Sequence, residues 1–347
     1  MKLAIGSQWT VSRSRVAAVL AGASCAAAVM ATAGTAAASS PGRPGAAPAP
    51  PPATAAAGGR IAFSQWDLLP GGNLSGHSNV YVINPDGTGR RQLTHVGAAK
   101  AAGAPDWSAD GRKIVYESDQ SGDYRVWAMN ADGSGQTRLT DDPGFADLEP
   151  AWSPDGKRIL FSRCDDHLGF ILSCDLDVMN AAGTGLRRLA GGHWTYVRGQ
   201  YSPDGRRIVA GADRGGLLSA LWVMRADGTG LHRITRPSLQ AFWPGWSPGG
   251  RRIVFTDNCC QFGSNIWTVR PNGRGLRKLT RFGPAPLQGG FASYSPDGRR
   301  IVLQYNGKCP ARGICRYFYV MNADGSGLRA VHTGVANTFL TDWGPAA

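Results

Sequence analysis

The chain has 347 residues, 48 of them glycine and 22 proline, with a formal net charge of +13. That length supplies a sizeable core in one large or two ordinary domains, and short apolar runs set among so many turn residues argue against a mainly helical fold. The positive surplus suits anionic partners, but it recurs as the pairs Arg206-Arg207, Arg251-Arg252 and Arg299-Arg300, where charge on exposed strands discourages edge-to-edge pairing. No nucleic-acid partner is expected.

In chain order, Lys2, Arg13 and Arg15 precede an uncharged Ala-rich stretch from Val16 to Ala33, and Ala36-Ala37-Ala38 offers a small-residue cleavage site. Residues 1–38 therefore read as an export signal, whose removal lowers the charge to +10. Two alternatives stay open. The stretch is about long enough to span a bilayer as an uncleaved anchor, and Cys25 is a candidate for lipidation, although Gly22-Ala23-Ser24 lacks the Leu usual three residues before such a cysteine. Residues 39–59 are rich in Pro, Ala and Gly and read as a partly extended tether. The folded region is expected over 60–347.

That region is built on one phrase. It stands as Trp107-Ser108-Ala109-Asp110-Gly111, Trp152-Ser153-Pro154-Asp155-Gly156, Tyr201-Ser202-Pro203-Asp204-Gly205, Trp246-Ser247-Pro248-Gly249-Gly250 and Tyr294-Ser295-Pro296-Asp297-Gly298, with a truncated copy at Trp343. A spacing of 45 to 49 residues marks a structural repeat. Within one unit, the aromatic ends a first strand and Ser-Pro-Gly-Gly turns the chain. Arg252 to Phe255 forms a second strand, Ile266 to Val269 a third, and Arg277 to Thr280 a fourth after Asn272-Gly273. Pro, Asp and Gly suit the tight turns because they preset φ, cap the backbone locally and accept positive φ. Four short antiparallel strands per repeat make a β-propeller blade. The turn at 130–135 resembles a calcium loop only superficially, since Ala128 takes the first ligand position and no Glu follows at the twelfth.

Third-strand copies at Tyr81, Trp127, Asp177, Trp222, Trp267 and Tyr319 give six blades. The folded chain opens on a second strand (Ile61-Ala62-Phe63) and closes on a first (Thr341-Asp342-Trp343). The C-terminal strand is therefore expected to complete the opening blade, giving an all-β, six-bladed ring of four-stranded antiparallel blades without a free edge at the seam. A monomer is expected.

The pattern Trp-Ser-Pro-Asp-Gly-Arg/Lys-Arg-Ile followed by Val-Met-Asn-Ala-Asp-Gly-Thr-Gly-Leu-Arg-Arg-Leu-Thr resembles the TolB-type propeller repeat across roughly residues 60–347. The resemblance implies an exported binding propeller with a partner in the cell envelope. In the family's namesake a smaller α/β domain precedes the ring. Here only the signal and the tether are read there.

In such blades the first-to-second and third-to-fourth turns share one face, while second-to-third loops and blade connections share the other. The second face varies and is the expected binding face. Its blade-to-blade connections are read as carrying Phe145, Asp147 and Glu149; Trp194, Tyr196 and Arg198; Phe242 and Trp243; and Phe291 and Phe339. Aromatics interspersed with polar groups suit a protein, peptide or glycan. Glu149, Trp194, Tyr196, Arg198, Phe242, Trp243 and Phe291 are the candidate ligand-binding residues, some of which would instead pack between blades. Cys164 with Cys174 and Cys309 with Cys315 flank second-to-third loops, and each pair is a candidate disulfide. Adjacent Cys259 and Cys260 are too close for an unstrained bridge.

Asp177 replaces the repeat aromatic. It reads as a carboxylate paired with an Arg, with a ligand or metal contact as the alternative. Gly245-Trp246-Ser247-Pro248-Gly249 matches a nucleophile-elbow pattern, but no helix follows it. No cofactor or metal ligand set is indicated. Asp106 and Asp342, each just before a first-strand aromatic, leave open a channel cation or a propeller enzyme acting on a polysaccharide or peptide.

Overall fold

The computed structural model describes residues 59–68, 74–165, 173–192, 194–213, 219–257, 264–282, 288–308, 314–331 and 337–345. The signal segment with Cys25, nearly all of the tether, and Cys259, Cys260 and Cys309 lie outside the described residues. Among the described residues, no helix is long and apolar enough to cross a membrane.

These residues form six four-stranded antiparallel sheets. The inner strands of blades 2 to 6 are β4 (Ala102–Trp107), β8 (Phe145–Trp152), β12 (Thr195–Tyr201), β16 (Ala241–Trp246) and β20 (Gln288–Tyr294), each followed outward by three strands in chain order. Blade 1 takes its inner strand, β24 (Thr338–Trp343), from the chain's end and pairs it with β1 (Ile61–Leu68), Trp343 opposite Ile61. Each inner strand contacts the next, and β20 contacts β24, so the ring is closed as its out-of-phase repeats require.

The repeat phrase makes the hairpin turn that its residues suggest. In blade 3, Ser153 Oγ accepts from Arg158 N (2.9 Å) and donates to Asp155 Oδ1 (2.6 Å), which also accepts from Lys157 N (3.1 Å). Gly156 takes the left-handed conformation that the turn requires, at φ +67°. The nucleophile-like copy in blade 5 is the same turn, with Ser247 Oγ accepting from Arg252 N at 3.0 Å.

Alternation along the strands gives each blade two apolar faces, and these meet in one cluster per junction. Val115 and Val126 of blade 2 pack on Trp152, Ile159 and Phe161 of blade 3. At the seam, Phe63 of blade 1 packs on Val302 and Phe318 of blade 6. Fully burying one such side chain is worth about 1.5–3 kcal/mol. A seventh cluster forms the hub, gathering Trp66, Tyr124, Leu148, Trp243, Phe291 and Phe339 from several blades.

Cys164 and Cys174 also belong to the hub, are fully buried, and are joined by the expected disulfide. They do not sit in a loop. They face one another across the paired ends of β9 (Arg158–Asp165) and β10 (Cys174–Asn180). Cys315 likewise lies in a strand, its backbone opposite Gly307, and its proposed bond to Cys309 falls outside the described side chains.

Candidate functional site

Sequence reading assigned Glu149, Arg198, Trp243 and Phe291 to blade connections. The structure places them inside the inner strands, at equivalent bulges. Register breaks fall between Leu148 and Ala151, Val197 and Gln200, Phe242 and Gly245, and Gly290 and Ser293, and blade 2 repeats the break between Gly103 and Asp106. At each bulge a non-glycine residue adopts positive φ: Ala104 at 45°, Glu149 at 51°, Arg198 at 48°, Trp243 at 51° and Phe291 at 44°. A left-handed L-residue costs about 1–2 kcal/mol. The bulge was invisible in sequence because no glycine marks it.

Around these positions the channel is two-sided. On the aromatic side, Trp243 and Phe291 have ring centroids 3.9 Å apart, Phe242 lies 6.0 Å from Trp243, and Phe291 continues to Phe339 at 6.4 Å. On the other side, Ala104, Asp106, Glu149, Arg198 and Gln200 line a constriction of only about 10 Å³.

The carboxylates on that side tie blade 1 to blade 2, blade 2 to blade 3 and blade 3 to blade 4. Asp342 Oδ2 accepts from Trp107 N (3.0 Å), Asp106 Oδ2 from Trp152 N (2.8 Å), Glu117 Oε2 from Glu149 N (2.8 Å) and Glu149 Oε2 from Arg198 N (2.6 Å). Burial pushes the Glu117 carboxyl up to about 8. Burial and then the nearby Asp342 charge hold Asp106 well above the ordinary carboxylate range. Glu149 and Asp342 are raised by burial as well, and the Arg198 charge opposes the shift in all four. Glu117 was missed by sequence reading. Its signal was present, because the matching second-strand position holds Ser64, Ser162, Gly211, Thr256 or Gln304 elsewhere.

The remaining candidates lie away from this ring. Tyr196 is 1% exposed in the cluster between blades 3 and 4, and the half-buried Trp194 packs edge-on against Trp222 with centroids 4.9 Å apart. Asp177 is buried next to an Arg as expected, its Oδ2 lying 3.9 Å from Arg163 Nε. Arg163 makes its shorter bonds elsewhere, to Asp147 (2.7 and 3.0 Å) and Asp142 (2.7 Å). Burial raises the Asp177 carboxyl to about 6 against the pull of Arg163. Among the described residues, no group of three or more His, Cys, Asp or Glu is placed to hold a metal ion.

A family model for the TolB beta propeller domain matches residues 52–178 and 148–346. The uncharacterized protein Atu1656 of Agrobacterium fabrum is 34% identical over 134 residues, covering 37% of this chain and 44% of that protein. The uncharacterized peptidase YuxL of Bacillus subtilis is 36% identical over 84 residues, 24% of this chain and 12% of that protein. The chain thus spans less than half the length of these curated relatives. The solved structure of TolB from Acinetobacter baumannii superposes with a TM-score of 0.66 at 19% identity, covering 83% of this chain and 67% of that one, a likeness of fold. With the family model covering the ring from first blade to last, the chain belongs to the TolB β-propeller domain family.

Proposed function

We propose that this chain is an exported, non-catalytic propeller that binds a peptide or glycan segment of a cell-envelope partner at the central channel. The observation that carries the reading is the set of non-glycine residues held at positive φ on the inner strands. Strain at equivalent positions in five blades is retained although glycine would relieve it, which marks positions whose side chains matter. Glu149 and Arg198 bring a carboxylate and a cation to the constriction, and Trp243 and Phe291 pack in the apolar hub. Such a set suits an extended ligand with polar groups and an apolar face. Export rests on the N-terminal pattern, and mass analysis of the protein recovered from the envelope fraction tests cleavage near residue 38.

Arrays of envelope-derived peptides and glycans, probed with the full chain, test the site. A probe held by the wild type and lost by Trp243→Leu supports the reading. Equal retention by both proteins removes the channel from consideration. A second reading, a propeller enzyme, draws on the raised Glu117 carboxyl, which is able to act as an acid near neutrality. Against it, Glu117, Glu149, Asp106 and Asp342 each already hold a backbone N–H of the neighbouring blade. Conversion of a bound probe by the wild type and not by Glu117→Gln would favour the enzyme.

A further inference from the structure

The turn face, opposite the variable loops, carries its own repeated chemistry. The repeat begins its second strands with a cation, as at Lys113, Arg158, Arg207, Arg252 and Arg300. The Arg158 charge faces Tyr201, and at three further junctions that cation fills the gap in front of the next blade's aromatic. The Arg207 guanidinium carbon lies 5.2 Å from the Trp246 ring centroid, and that of Arg300 lies 5.0 Å from the Trp343 centroid. Arg252, whose charge faces Tyr294, donates from Nη1 to Thr268 Oγ1 (3.1 Å) and to Gly275 O (3.2 Å). All three arginines are half-buried.

Blade 2 departs from this pattern at several matched positions. Lys113 replaces the Arg and is exposed. Ala128 stands where blade 5 has Thr268 and blade 4 has Val223, and Thr137 stands where neighbouring blades have Arg91 and Arg187. Ala109 replaces the turn proline. Each change removes volume from the same gap. The result is a cleft of about 510 Å³ between blades 2 and 3, with Trp152, Leu139 and Ala128 at its walls and Asp110 and Asp155 at its rim.

We propose that this cleft is a receptor for an arginine side chain of a partner peptide. The ring itself shows what fits such a gap, because the equivalent spaces in blades 4, 5 and 6 each hold a guanidinium. An incoming guanidinium meets the Trp152 indole, as Arg207 meets Trp246, and cation–π contact favours that pairing. The Gly135 carbonyl matches in the repeat the Gly275 carbonyl that Arg252 bonds, and Gly135 lines the cleft. Asp110 and Asp155 stay ionised, since hydrogen bonds from Ser108 and Arg112 N, and from Ser153 and Lys157 N, hold their carboxyls below the usual range. The cleft exceeds one side chain in volume and so admits the residues flanking the arginine. It lies on the face away from the loops of the variable face and shares no residue with the channel site.

The test uses the full chain and the peptide N-acetyl-Gly-Arg-Gly-amide, followed by the methyl resonances of Ala128 and Ala182. Saturable shifts are expected in the wild type, with the citrulline peptide, uncharged but of the same shape, binding about tenfold more weakly or worse. Lys113→Arg refills the gap with the chain's own guanidinium and restores the repeat residue, so it keeps the thermal midpoint while lowering affinity by about tenfold or more. Ala128→Val acts in the same direction by restoring the wall. The proposal is overturned if these methyls do not respond to the arginine peptide up to about 10 mM, if citrulline binds equally well, or if both variants bind like the wild type.

Discussion

The turn face and the channel face the same two physical problems and resolve them in opposite ways. Both need residues at positive φ. On the turn face Gly111, Gly156, Gly205, Gly250 and Gly298 supply it at φ 64–70°, without a side chain. In the channel Ala104, Glu149, Arg198, Trp243 and Phe291 supply it and bear the strain. Both regions also use carboxylates as acceptors of backbone N–H groups. In the turns Asp110, Asp155 and Asp204 are exposed, and a Ser hydroxyl and a backbone N–H hold their carboxyls low. In the channel the same kind of bond is buried, desolvation outweighs it, and the carboxyls rise. Identical local chemistry thus takes the opposite sign according to its access to water.

The largest expected effect breaks the channel side of that contrast. Arg198→Ala removes the cation that opposes protonation of Asp106, Glu117, Glu149 and Asp342. A loss of about 3 kcal/mol in urea unfolding at neutral pH is expected for leaving buried charge uncompensated. A loss below about 0.5 kcal/mol would show that the cation is dispensable to the ring.

Next comes pH. The Glu117 carboxyl ordinarily titrates near 4.5 and in the fold near 8, so between these values the folded state holds a proton that the unfolded chain has released. Its contribution is full below about 4.5 and is lost as pH rises through about 8. A slope on the order of 1 kcal/mol per pH unit follows. Glu117→Gln retains an acceptor for Glu149 N and should flatten unfolding free energy across that window. An unchanged slope would assign it to other groups. The turn aspartates act in the reverse direction, their contribution fading as pH falls through their lowered values.

Two smaller effects separate strain from side-chain contact. Gly156→Ala meets no atom within 4 Å, so only its φ of +67° opposes it. About 1 kcal/mol of destabilisation is expected from calorimetry. Ala104→Gly works in the other direction, relieving strain at φ 45° while losing one methyl. A gain of roughly 0.5 kcal/mol is expected, and a comparable loss would mean that the bulge is not strained.

The blades, their number and the seam were legible because the repeat writes hairpin chemistry into nearly every unit and the first and third strands count out of phase. The disulfide Cys164–Cys174 was legible from the residues flanking a hairpin opening. The placement of Trp194 and Tyr196 was not. Both are aromatic residues near a strand start, and only packing against Trp222 and the blade 3 to 4 cluster separates them from Trp243 and Phe291. Glu117 escaped because a carboxylate at a strand end reads as solvated until the ring folds around it.

The phrase Trp-Ser-Pro-Asp-Gly determined the turn and the blade through local φ preference and alternation along a strand, and its phase against the third-strand copies determined the closure of the ring. What faces the channel, which carboxylates lose their water, and which inter-blade gap stands open were decided only by tertiary structure. Those outcomes depend on residues some 45 positions apart meeting across a junction, where burial, not identity, sets the sign of their chemistry.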